Sequence, residues 1–375
     1  MNKRALIALS GGVDSSVTAL LMQQAGYDCV AVHMLLTSEA ADSSAAAAKA
    51  IASQLQMPFY EFDLRERFYQ QVIEPFMQAY AAGLTPNPCI LCNRELKFGA
   101  LFQIAQQLDC QFLATGHYAR LAYSKDYGRW LLRQAADLAK DQSYVLYALS
   151  QAQLARVKLP LGDYHKEDVR KMAAEAGFPN AKNPDSQDIC FVPGGDYAAF
   201  IERTLAARAA QFSPPGDMLD ANGQVVGQHR GLIHYTIGQR KGLGAHGKPV
   251  FVQEICAQHN TVTIGDDEST LSRRSFVLRD LNWIALDAPP QEPLACSIKI
   301  GYKHRMHPGS ICLQQHKGQQ RLHACFDVPQ RAITPGQAAV FYAGPTPPDA
   351  ADAADDAAIV LGGGTIERLV CGVCP

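Results

Sequence analysis

The sequence predicts an α/β protein in which a parallel β-sheet, covered by helices on both faces, is followed by one or two small β-rich modules. Three observations carry that expectation. Apolar runs alternate with helix-patterned stretches from the N-terminus to about residue 195, the order that builds strand–helix–strand units. Beyond that point the rhythm changes to short alternating runs separated by Gly, Pro, Asp and Asn, as in small β-modules. The 375 residues, 47% hydrophobic and 19% charged, suit a folded chain of two or three domains rather than a disordered or collagen-like one.

The elements follow in order. Residues 5–9 form a short apolar run, read as a buried parallel strand. Gly11-Gly12 turns the chain into a helix over 15–24, with Gly26 as its stop. Residues 29–36 are a second strand, 42–54 an alanine-rich helix and 58–63 a third strand. Residues 67–82 are helical up to Gly83, 97–108 are helical again, and 112–115 are another buried strand. In the second half, strands are expected at 225–226, 232–237, 250–255, 262–264, 296–302, 310–313, 324–328 and 338–342. The stretch 345–358, rich in Pro, Ala and Asp, reads as a solvated loop.

The net charge of −2 excludes a strongly basic chain of the histone type, although one basic face can be offset by acid elsewhere. Lys3 and Arg4 precede an apolar run too short for a secretory signal, and no run is long enough to span a membrane. The expected location is cytoplasmic. Cysteines there are free, metal-binding or catalytic more often than paired. Of the eleven, Cys29, Cys110, Cys296, Cys312 and Cys325 sit in apolar or alternating contexts and read as small core residues.

Two motifs carry chemistry. Ser10-Gly11-Gly12-Val13-Asp14-Ser15-Ser16 lies between the first strand and the first helix. Glycines let the backbone approach a ligand, and a helix N-terminus offers N–H groups and partial positive charge to phosphate. Asp14 is placed to cap the helix or to help hold Mg2+. The string lacks the lysine of a Walker loop, which argues against simple γ-phosphoryl transfer. It resembles the pyrophosphatase (PP) loop of the adenine-nucleotide α-hydrolase-like enzymes. That resemblance implies a Rossmann-like fold and cleavage of ATP between its α- and β-phosphates.

The second motif is Thr85-Pro86-Asn87-Pro88-Cys89-Ile90-Leu91-Cys92-Asn93. Its prolines suggest an extended, rigid approach. The Cys-x-x-Cys spacing lets both sulfurs face one point, and Arg94 and Lys97 nearby favour thiolate. Cys190 follows in a second polar segment. A four-cysteine zinc site would need Cys371 and Cys374, at the far end of the chain.

These segments, together with Ala114-Thr115-Gly116-His117-Tyr118, Lys140-Asp141-Gln142-Ser143-Tyr144, Gly238-Gln239-Arg240-Lys241-Gly242-Leu243-Gly244 and Thr334-Pro335-Gly336-Gln337, occur in the order of the bacterial tRNA-specific 2-thiouridylase (MnmA/TrmU-type) family. The chain resembles that family from about residue 4 to residue 369. The resemblance implies a PP-loop catalytic domain over 1–198, a central tRNA-binding domain over 199–272 and a β-barrel-like domain over 273–375. It implies a tRNA substrate, ATP with Mg2+, and an upstream sulfur-relay protein or cysteine desulfurase; a monomer is expected. By position, Cys190 matches the cysteine that carries persulfide and Cys92 the catalytic nucleophile. Ala8, Leu9, Ser10, Gly11, Gly12, Val13, Asp14 and Ser15 match the ATP phosphate loop, and Met34 and Gly116 further ATP contacts. Asn87, Pro88 and Cys89 match the segment that meets the target base, which must leave its stack to be reached. His117, Lys140, Asp141, Gln142, Tyr302 and Gln337 match tRNA-contacting positions.

Two positions depart from the family pattern. Many members have aspartate where this chain has Cys89, so Cys89, Cys92 and Cys190 form a possible ligand set for a [4Fe–4S] cluster with one open iron. Gly301 stands where relatives have arginine before Tyr302, so that contact is either lost or taken over by Lys303 or Arg305. Two other readings use the same loop. An amidating ligase needs an ammonia-generating domain for which the chain has no room, and an inert RNA-binding protein would be indifferent to loss of Cys92 or Cys190.

Overall fold

The computed structural model describes residues 3–37, 41–183, 189–316, 319–343 and 357–370. The expected loop at 345–358 lies almost wholly outside the described residues, as do Cys371 and Cys374.

Strands β1 (Arg4–Ala8), β2 (Asp28–Leu35), β3 (Phe59–Asp63) and β4 (Phe112–Ala114) stand where the apolar runs predict them. A hairpin, β5 (Arg120–Ser124) and β6 (Arg129–Arg133), comes next, and then the short β7 (Val157–Lys158). The first sheet is parallel, in the order β3-β2-β1-β4-β7. β1 is buried on both faces: Leu6 packs into one core cluster, Ala5 and Ile7 into another. A strand covered on both sides must be apolar throughout rather than alternating, and each such buried Leu or Ile contributes about 1.5–3 kcal/mol. The chain builds outward from β1 through β2 to β3, then returns to the other side of β1 with β4. The crevice beyond the carboxyl ends of β1 and β4 is therefore the switch point at which such sheets take ligands.

The cysteine segment differs from expectation. It is not an extended approach to a helix that starts at Lys97. The helix starts at Pro88 and continues as a π-helix over Cys92–Ala100 into Leu101–Gln107. The reason is local. The Asn87 side chain accepts the Cys89 N–H at 3.1 Å and caps the helix, and proline at the first helical position loses no hydrogen bond. The strand expected at 232–237 is instead a single 3₁₀ turn, Leu232–His234, and the one expected at 296–302 stops at Lys299.

A four-stranded sheet follows, made of β8 (Gly216–Leu219), β9 (Val225–His229), β10 (Phe251–Cys256) and β11 (Thr261–Gly265) in the order β10-β11-β8-β9. Then β12 (Ser272–Trp283), β13 (Leu294–Lys299), β14 (His307–His316), β15 (Gln319–Arg331), β16 (Ala338–Ala343) and β17 (Ile359–Val370) pair in the order β12-β15-β14-β13-β16-β17. Pairing of β12 with β17 closes them into a six-stranded barrel. The β5–β6 hairpin, from the first part of the chain, adds to this barrel through Arg133 opposite Ile359. One core cluster consequently holds Leu6 and Phe98 together with Val340, Tyr342 and Val360. Among the described residues no helix is long and apolar enough to cross a membrane.

Candidate active site

The phosphate loop leaves β1 and enters helix α1 (Val13–Gln24). Leu9 is held by its N–H to the Val32 carbonyl (2.9 Å) and by its own carbonyl to His33 Nδ1 (2.8 Å). Gly11 has φ +82°, and a Cβ there would lie 2.6 Å from the Ser44 carbonyl oxygen, so only glycine fits. Gly12 is the N-cap and provides no side-chain cap, which leaves the first N–H groups of α1 available to an anion. Asp14, expected as a possible cap, does not cap. Its Oδ1 accepts from the Tyr118 hydroxyl and from the Lys166 ammonium, both at 2.7 Å. Asn180 Nδ2 donates to the Gly11 carbonyl (2.7 Å) and to Ser16 Oγ (2.9 Å), and Ser15 Oγ donates to the Gly12 carbonyl (2.9 Å). The loop without a lysine of its own thus receives one from the helix Lys166–Glu175. Tyr118, Lys166 and Asn180 lie 104, 152 and 164 residues from the loop residues they grip. No local pattern marks them.

Residues 115–118 follow β4 and touch two places at once. Gly116 lies on the loop: a Cβ there would come within 2.9 Å of the Asp14 carbonyl carbon and 3.0 Å of the Ser15 nitrogen. His117 faces the other way and is buried, with Nδ1 2.8 Å from Thr115 Oγ1 and Nε2 3.4 Å from Lys97 Nζ. Burial and the Lys97 charge hold its pKa well below the usual histidine range. The ring is therefore neutral at pH 7, and Nε2 accepts from the lysine. Tyr118 is fixed by Gln142, whose Oε1 accepts the Tyr118 N–H at 2.9 Å.

The sulfur residues gather beyond Lys97. Cys89 reaches solvent, whereas Cys92 is buried in a cluster with Phe191 and Val192, which brings Cys190, also exposed, beside it. Surrounding protein raises all three thiols, Cys92 to about 11, and Lys97 opposes that rise at each. The expected lowering by Arg94 and Lys97 is not the net result, because desolvation outweighs one ammonium. Arg94 instead pairs with Glu95 at 2.7 Å. The thiols influence one another, yet among the described residues no three Cys, His, Asp or Glu side chains are placed to hold a metal. That arrangement gives no support to a [4Fe–4S] cluster on Cys89, Cys92 and Cys190.

The other anticipated residues fall around this centre. Met34 is half-buried near the end of β2, packed on the core. Lys140 is half-buried, and Asp141 is buried, accepting the Ser143 hydroxyl at 2.8 Å and the Ala135 N–H at 3.1 Å. Burial raises the Asp141 carboxyl, and Lys299 opposes this. Lys299 is itself buried, with its ammonium 5.8 Å and 5.9 Å from the ring centroids of Tyr144 and Tyr302. Tyr302 is exposed in part, and partial burial followed by the Asp141 carboxylate pushes its hydroxyl pKa up. Gln337 is half-buried on a barrel turn whose Pro335 carbonyl accepts the Thr85 N–H at 2.9 Å. This barrel turn thus leans on the start of the cysteine segment. Of the cysteines read as core, Cys29, Cys110, Cys312 and Cys325 are buried and Cys296 is half-buried; Cys325 is disulfide-bonded, whereas the other four are free.

Fold and loop together define a HUP-type α/β domain followed by two β-modules. Residues 3–194 match the tRNA methyl transferase HUP domain, 200–266 the tRNA methyl transferase PRC-barrel domain and 273–366 the aminomethyltransferase beta-barrel domain. The chain is 44% identical over 376 residues to a tRNA-specific 2-thiouridylase MnmA of Moorella thermoacetica, covering 97% of this chain and 99% of that one. It is 40% identical over 379 residues to the MnmA of Clostridioides difficile, covering 98% and 99%. The chain belongs to the tRNA-specific 2-thiouridylase family.

Proposed function

We propose that this chain is a tRNA-uridine 2-sulfurtransferase that adenylates the C2 oxygen of a wobble uridine and replaces it with sulfur, giving 2-thiouridine, AMP and pyrophosphate. The observation that carries this reading is the segment 115–118, which rests on the phosphate loop through Gly116 and Tyr118 and on the thiol group through His117 and Lys97. Activation and sulfur delivery then share one site.

The uncapped α1 terminus and the glycine turn suit the phosphates of ATP at Ala8, Leu9, Ser10, Gly11, Gly12, Val13, Asp14 and Ser15, with Met34 and Gly116 completing the nucleotide site. Asp14 is the residue that would hold Mg2+, which neutralises phosphate charge. Asn87, Pro88 and Cys89 meet the flipped base. Tyr302 and Gln337 contact tRNA directly, while His117, Lys140, Asp141 and Gln142 support the surface it meets. Cys190 receives sulfur as a persulfide from an upstream relay protein or desulfurase. Its outer sulfur attacks C2 and AMP departs. The Cys92 thiolate then attacks the Cys190 sulfur, the thiouridine leaves, and a Cys92–Cys190 disulfide remains. The domains are 1–198, 199–272 and 273–375, and the enzyme acts as a cytoplasmic monomer.

The test is thiolation of anticodon-bearing tRNA with ATP and a persulfide source. Cys92→Ser and Cys190→Ser are each expected to abolish product, and Cys110→Ser to leave it unchanged. Full activity in either of the first two variants overturns the assignment.

A further inference from the structure

Three thiols gathered on one helix and on the segment packed against it present a physical difficulty. Sulfur transfer moves through anions, and the protein around these cysteines opposes anions. One cation answers it at all three positions. Cys89, Cys92 and Lys97 lie on one helical run, and Phe191 packs Cys190's segment against Cys92; among the described residues Lys97 is the cation that acts on each of the three thiols. Arg94, closer in sequence to Cys92, is exposed and tied to Glu95.

The backbone explains why Lys97 can do this. In an α-helix, residues five apart point about 140° away from each other. Cys92 and Lys97 lie in the π-helix Cys92–Ala100, whose i to i+5 hydrogen bonding brings such residues toward one line; π-segments recur at functional sites. The ammonium is also held without being neutralised. Its contact is the neutral ring of His117, and among the described residues no carboxylate forms an ion pair with it. Lys166 at the phosphate loop contrasts with it, being paired directly with Asp14.

We propose that Lys97 is the positioning cation of the sulfur-handling site, carried onto the cysteine face by the π-helical register, oriented by His117, and holding whichever of Cys89, Cys92 and Cys190 is anionic. Its place in the reaction rests on the sulfurtransferase reading, but the placement of charge is testable without substrate. Lys97 touches His117 and acts electrostatically on the three thiols.

The experiment is alkylation of the full chain by neutral iodoacetamide at fixed pH, followed for each cysteine by peptide mass spectrometry, with half-buried Cys256 as the internal reference. Lys97→Met is expected to slow Cys89 and Cys190 relative to Cys256 by about tenfold, the effect of one unit in a thiol pKa. Lys97→Arg is expected to restore the ratio to within about threefold. Lys97→Gln repeats the loss with a smaller change in shape. Ratios unchanged in Lys97→Met, or equally depressed in Lys97→Arg, overturn the proposal. Because neither tRNA, ATP nor a sulfur donor is present, failure here is separate from failure of the thiolation assay.

Discussion

His117 is buried with its ring between Thr115 and Lys97, and a proton there would set two cations side by side. The unfolded chain takes up that proton near pH 6.5, whereas the folded ring resists it until well below. The unfolded state therefore binds more protons in this window, and stability falls as pH drops below about 6.5. The expected loss from this group approaches ~1.4 kcal/mol per pH unit. Urea unfolding at pH 7 and pH 5 checks it: His117→Gln should flatten the slope, and an unchanged slope would assign the effect to other histidines. At the loop, Asp14→Asn is expected to impair AMP formation before any sulfur step, and normal AMP release would remove Asp14 from that role. The phosphate loop and the three cysteines were legible as motifs because each is a contiguous string. The grip of Tyr118, Lys166 and Asn180 on that loop was not, since it exists only once distant segments meet. The direction of the thiol shifts was also hidden, because sequence displays the charge of Lys97 but not the desolvation around Cys92.

The π-helix Cys92–Ala100 is the element on which the cysteine face depends. Gly99 marks its cost in sequence: a Cβ there would sit 2.9 Å from the Arg94 carbonyl oxygen, five residues back. Gly99→Ala must shift backbone rather than a flexible side chain, and the expected destabilisation is about 1–3 kcal/mol. A lowered urea midpoint with an unchanged slope would show it, and an unchanged midpoint would mean the segment can relax. The parallel strands were legible because full burial writes them as unbroken apolar runs. The start of the cysteine helix was misread as extended because Asn87-Pro88 serves both turns and helix starts, and only the Cys89 N–H contact decides between them. The β5–β6 hairpin was missed because its partner, β17, lies far along the chain.

At the scale of the whole molecule, the first and last parts share a core. The Tyr144 hydroxyl donates to the Ala338 carbonyl at 2.9 Å, the Tyr342 and Ser143 hydroxyls meet at 3.1 Å, and Asn282 Nδ2 donates to the Tyr147 carbonyl at 2.6 Å. A fragment ending at residue 272 lacks Val340, Tyr342 and Val360, which complete the cluster around Leu6 and Phe98. It is expected to show no sharp thermal transition by near-ultraviolet circular dichroism, whereas the full chain unfolds its first sheet and barrel together. A cooperative transition in the fragment would separate the two. The pairing of Arg133 with Ile359 also bears on how the protein is born. At roughly 5–20 residues per second, a ribosome releases the β5–β6 hairpin tens of seconds before β17 emerges. For that interval the apolar surface awaiting the barrel has no cover of its own chain, so the nascent protein depends on shelter until its last strand arrives.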